Sequence, residues 1–152
     1  MEQAASDLNT YEILARSTLP ACHRLHYLQM WLEKLCKAHL YFESDQRQFT
    51  HKFVAKHLPK LVIDHWRRTN FQAGGIAGSV RELCREIDQL HPQVDNDGRS
   101  PDNVEYPWIS MSGRIETPAK WHFRLADRLE THPGRLLLKA AAALTRDPVF
   151  RK

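Results

Sequence analysis

Cysteine is scarce in this chain: Cys22, Cys36 and Cys84 are the three, and no two form a CxxC pair. An odd number cannot all pair within one molecule, and all three fall on expected helices, so reduced, buried thiols are expected. Metal-ligand spacing is also missing. There is no HExxH and no second Cys/His pair at ligand distance, so neither a metal nor a cofactor is expected. Gly74-Gly75-Ile76-Ala77-Gly78 lacks the GxxxxGK[ST] pattern of a phosphate loop and has no strand before it. Ser110 and Ser112 lie in an irregular segment with nothing to activate them. The acids from Asp95 onward lack the full ligand series of a calcium loop. No apolar run approaches the roughly 20 residues that span a bilayer. The opening MEQAASDLNTYE has no basic-then-apolar signal pattern, so a cytoplasmic protein without membrane contact is expected.

What remains is an ordinary globular composition. A hydrophobic share of 42% with 26% charged residues suits one domain over 1–152 with a real core. The net charge of +4 leans toward phosphates or an acidic partner.

Periodicity is helical nearly throughout. Asn9-x-x-Glu12 reads as a capping box for a short helix to about residue 17. Pro20 opens a long helix to about residue 42, with Leu25, Leu28, Leu32, Leu35 and His39 on its seam. Gln29, Glu33, Lys34 and Lys37 lie off the seam, and Glu33 with Lys37 makes an i,i+4 pair. Tyr27 and Met30 form a second apolar face, which points to a bundle centre or a homodimer seam. Thr50 suits the N-cap of a third helix to about Arg68, kinked or split at Pro59. Residues 70–78 read as a turn, followed by a helix to Leu90 with Ile76, Val80, Leu83 and Ile87 inward. Residues 92–107 lose all period, with Tyr106 and Trp108 expected to plug the side of the bundle. Residues 113–118 suit a short strand or extended arm. Two last helices are expected at about 119–131 and 134–146, separated by His132-Pro133-Gly134. The fold class is therefore an all-α antiparallel helical bundle with an irregular excursion at about 91–118.

Three segments together resemble a known family. LHYLQMWLEKLCKAHLYF, FTHKFVAKHLPKLV and VRELCREIDQLHPQVDNDGRSPDNVEYPW are similar to the HEPN domain (higher eukaryotes and prokaryotes nucleotide-binding). The carriers are the Gln29–Leu40 helix with Glu33-Lys34 and Lys37-Ala38, then Thr50-His51, then Tyr106-Pro107, over about residues 20–108. Glu105 stands where the family usually has Arg before Tyr-Pro. The resemblance implies a homodimer that handles a nucleotide or RNA. It also implies a nucleotidyltransferase-type protein partner in a toxin–antitoxin or defence setting. Catalytic members carry Arg, four to six residues, then His, for metal-independent RNA cleavage across a dimer. Arg85 and His91 fit that spacing here. On one regular helix the two would stand about 120° apart, so they converge only if the helix ends before His91. Arg128 and His132 share a face at i,i+4 but are one residue too close.

A second candidate rests on the residues alone. Lys52, Lys56, Lys60 and Arg67 fall within roughly 80° of one another on a helical wheel. Asp64 is the sole acid between His51 and Arg68, so the row is not self-neutralised and suits the phosphate of a nucleic acid or a carboxylate-rich partner. The expectation is a non-catalytic HEPN-like binding module for the phosphate of a nucleotide or nucleic acid, or for a partner protein. A ribonuclease using Arg85 and His91, and a purely structural helical domain, are the alternatives.

Overall fold

The computed structural model describes residues 1–43, 53–72, 74–92, 103–110 and 112–147. It is an all-α helical bundle carrying one small β-ribbon. The helices are α1 (Glu2–Leu14), α2 (Ala21–Glu43), α3 (Phe53–Arg68), α4 (Ile76–Gln89), α5 (Arg124–Leu129) and α6 (His132–Arg146). Strands β1 (Trp108–Ile109) and β2 (Ile115–Glu116) pair antiparallel, with Trp108 opposite Glu116 and Ile109 opposite Ile115. A single 3₁₀ turn follows at Pro118–Lys120. No helix among the described residues is long and apolar enough to cross a membrane.

All six helices feed one core. α2 is its axis: Leu25, Leu28, Leu32, Leu35 and Cys36 are wholly buried, and Trp31 nearly so. The buried arc of α2 is wider than the leucine seam, because α1 covers the flank that carries Trp31 and Lys34. Tyr11 of α1 stacks on Trp31 at 5.8 Å between ring centroids, and Lys34 Nζ lies 2.6 Å from the buried Asp7 carboxylate. Tyr27 and Met30 are half-buried within the single chain. Trp31 also donates its indole N–H to the Thr145 hydroxyl of α6 at 2.8 Å, and Thr145 donates in turn to the Ala141 carbonyl. A buried indole N–H without an acceptor would cost about 1–3 kcal/mol, so this pair anchors α2 to α6.

Several local expectations are corrected. α1 starts at Glu2, and Asn9 is an exposed residue inside it rather than a cap. Gln29, although off the leucine seam, is buried. It is 1% exposed, and neither its Oε1 nor its Nε2 has a hydrogen-bond partner among the described residues. α3 runs through Pro59 without being split, and Pro59 is buried. Thr50, the expected cap of α3, lies outside the described residues. His132-Pro133-Gly134 is the first turn of α6, not a linker. Proline suits that position because its missing N–H would have had no partner there. Tyr106 is 60% exposed and plugs nothing, whereas Trp108 is buried edge-on against Trp121. Asn103 takes over the ordering of that turn: its Oδ1 accepts from the Glu105 and Tyr106 amides, and its Nδ2 donates to the Tyr106 carbonyl.

Candidate phosphate-binding groove

α3 buries Phe53, Val54, Leu58, Val62 and Trp66, which turns Lys56, Lys60 and Arg67 outward. Since Pro59 does not break the helix, these three cations stay in one register, at i, i+4 and i+11. Lys52 lies outside the described residues. The helix closes in a Schellman motif. Asn70 takes a left-handed conformation at φ 54°, the Phe71 amide donates to the Trp66 carbonyl at 2.8 Å, and the Asn70 amide donates to the Arg67 carbonyl at 3.2 Å. Asparagine tolerates that conformation better than most side chains, and the Phe71 and Trp66 rings meet at 5.4 Å as the apolar clasp of the motif. The end of α3, and with it Arg67, is fixed by this arrangement.

The other wall comes from α4. Val80, Leu83, Cys84 and Ile87 face the core, which leaves Arg81 and Arg85 exposed on the outer side. Arg81 meets the α3 row across an open groove of ≈ 370 Å³. Ala55, Pro59 and Ile63 form its floor, and Lys56, Lys60, Arg67 and Arg81 stand around it with Asp64. Asp64 is engaged by Arg67 at 3.2 Å, with both side chains well exposed, so that pair contributes little to stability. Lys56, Lys60 and Arg81 make no ion pair among the described residues. Four cations against one acid give the groove a net positive field. Among the described residues its charged lining is Lys56, Lys60, Arg67, Arg81 and Asp64, which offers point charges for an anion.

Arg81 is the residue that sequence reasoning missed. Its i,i+4 spacing to Arg85 on the exposed side of α4 was a visible signal, but nothing in the sequence showed which helix would lie beside it.

Arg85 and His91 are placed less helpfully. Arg85 is exposed in the middle of α4. α4 does end before His91, at Gln89, but Leu90 keeps right-handed helical angles, so the chain has barely turned by the time it reaches His91. The carboxylates around Arg85 are committed elsewhere. Glu82 and Glu86 both hold Arg128 of α5, the former at 3.1 Å. Asp88 is buried under α3, where its two oxygens accept the Val54 and Ala55 amides. Arg128 and His132 belong to different helices, α5 and α6, so they do not share a helix face. Arg128 clamps α5 to α4 instead.

The cysteines are free and buried. Burial pushes the Cys36 and Cys84 thiols well above the ordinary range, and the nearby Asp88 carboxylate adds to the effect on both. No group of three or more His, Cys, Asp or Glu among the described residues is arranged to hold a metal ion. Compared with known protein families, curated proteins and solved structures, the chain matches none.

Proposed function

We propose that this chain is a HEPN-like helical binding module that holds the phosphate of a nucleotide or nucleic acid in the α3–α4 groove, without catalysing a reaction of its own. One observation carries the reading: Arg81 of α4 joins Lys56, Lys60 and Arg67 of α3 around one groove in which Asp64 is the sole acid among the described residues. Cations from two helices that leave their charge uncompensated attract a polyanion, because phosphate binding releases condensed counterions. Among the described residues no aromatic side chain lines the groove, which favours binding without base preference. The same family resemblance suggests a homodimer that works with a nucleotidyltransferase-type partner in a toxin–antitoxin or defence setting, and the cysteine pattern suggests a cytoplasmic protein. The three buried, unpaired cysteines fit a reducing compartment.

The test is fluorescence anisotropy of a labelled single-stranded oligonucleotide at low ionic strength, competed with ATP and pyrophosphate. Saturable binding that ATP competes away supports the reading. No binding at low ionic strength rejects it.

A further inference from the structure

On the side of the bundle formed by α1 and α6 lies a second open groove, of ≈ 440 Å³. Its floor is apolar: Leu8 and Tyr11 of α1, Trp31 of α2, and Leu138 and Ala142 of α6. Its α6 rim is basic. Lys139 and Arg146 line it with Glu12 of α1, and Arg135, one turn before Lys139, continues the same helix face beyond the groove, the three cations lying within about 40° of one another. α6 contains no acid at all between His132 and Arg146. Arg146 reaches across one end of the groove to Glu12 at 2.6 Å, and Arg135 donates to the Glu130 carbonyl. Neither Lys139 nor Arg135 has an ion-pair partner among the described residues. The groove thus joins an apolar trough to an edge where Glu12 offsets Arg146 and Lys139 is left without an ion-pair partner among the described residues.

We propose that this groove docks an amphipathic helix of a partner protein, one whose apolar stripe is flanked by Asp or Glu on the side that meets α6. Charge complementarity selects the occupant. The volume suits a few apolar side chains, and the helix-in-groove mode needs an apolar stripe of that kind. A nucleic acid fits poorly, because the Trp31 ring is only 1% exposed and most of the remaining floor is aliphatic, which leaves little aromatic face for base stacking. A lipid surface fits poorly too, because the apolar area is concave and recessed. Residues 148–152 of this chain carry Val149 and Phe150 but also Arg151 and Lys152, the wrong sign for this rim. The site is separate from the α3–α4 groove and does not depend on the reading of that groove.

Two synthetic amphipathic peptides of about 18 residues, five helical turns, test the proposal. They share one leucine stripe and differ only in flanking Glu or Lys. Titrated into the ¹⁵N-labelled full chain, the Glu-flanked peptide should shift Leu8, Leu138 and Ala142 saturably. It should bind about tenfold more tightly than the Lys-flanked one, since like charges across an interface are repelled. Lys139→Glu should remove that preference. Ala142→Trp should fill the trough and remove binding of both peptides, with circular dichroism checking that each variant is folded. Equal affinity for the two peptides, shifts confined to other surfaces, or no binding would overturn the proposal. So would binding that appears only after residues 148–152 are deleted, which would make the chain's own tail the occupant. An oligonucleotide that shifts the same three residues would also overturn it.

Discussion

The Asp88 carboxylate of α4 caps α3: Oδ1 accepts the Val54 amide at 3.1 Å and Oδ2 accepts the Ala55 amide at 2.8 Å. These are the second and third residues of α3, the positions an N-cap side chain ordinarily serves from two or three residues upstream. Here the acceptor comes from another helix, 33 and 34 residues further along the chain. A carboxylate also lies well against the positive end of the α3 dipole. One buried side chain therefore fixes the start of α3 against α4, and these are the two helices that wall the cationic groove.

Asp88→Ala should cost about 2–4 kcal/mol, because it removes two hydrogen bonds to a charged acceptor and leaves buried amides unpaired. Asp88→Asn should cost less, since asparagine caps helices nearly as well. Urea denaturation checks both. Oligonucleotide affinity should weaken in the alanine variant, through loss of the α3–α4 register.

Charge reversal in the groove should act on affinity and leave the fold alone. Lys56→Glu with Lys60→Glu, or Arg81→Glu alone, should weaken single-strand binding and flatten its salt dependence. The expected slope change is about 0.7 in log–log units for each phosphate that is no longer neutralised. Stability should move by less than about 1 kcal/mol, because these side chains are exposed. A ribonuclease built on Arg85 and His91 makes the opposite forecast. Arg85→Ala or His91→Ala would abolish RNA cleavage by the wild-type protein and leave affinity nearly unchanged.

Gly134 lies where α6 starts against the end of α5. A Cβ there would stand 2.4 Å from the Leu129 carbonyl oxygen and 2.5 Å from that of Arg128. Alanine is ordinarily favoured over glycine inside a helix by about 1 kcal/mol. Backbone atoms cannot move aside as a side-chain tip can, so the clash should win. Gly134→Ala is expected to lower stability by about 2 kcal/mol or more, read from the thermal midpoint and the urea transition.

Stability should fall at both ends of the pH range. Burial raises the Cys36 and Cys84 thiols above the ordinary 9.0, so the unfolded chain loses those protons first. Their contribution is complete below that value and is lost as pH rises beyond it. His65 shifts the other way: loss of hydration and the neighbouring Arg68 lower it below 6.5, against a weaker pull from Asp147. Its contribution is present above 6.5 and is lost as pH falls, because the unfolded chain takes up that proton first. Urea midpoints across pH 5 to 10 measure both arms. Cysteine reagents should label Cys36 and Cys84 only upon unfolding.

The helices that bury a regular stripe were legible in the sequence. α2 and α4 carry leucine and isoleucine at spacings of three and four, and both lie within a residue or two of their expected ends, apart from the start of α4. Ends governed by packing against other helices were not legible. Asn9-x-x-Glu12 has the letters of a cap, yet Ala4 and Leu8 are buried upstream of and beside it and carry α1 back to Glu2. Pro133-Gly134 has the letters of a turn, but the glycine is there for a close helix crossing. The lysine row of α3 could be read from its own period. Arg81 as its counterpart, and the burial of Gln29, are products of tertiary packing that a single helix does not encode.

The Trp31–Thr145 bond has a bearing on how the chain is made. Its two ends are 114 residues apart, and the Glu12–Arg146 pair spans 134. A ribosome releasing the chain from its N-terminus exposes the apolar flank of α2 long before α6 exists to cover it. At about 5–20 residues per second, that interval lasts several seconds or more. Until then the leucine seam and Trp31 are open to chaperones and to aggregation. Truncations that stop short of Thr145 should behave as sticky, partly helical chains rather than as smaller versions of the fold.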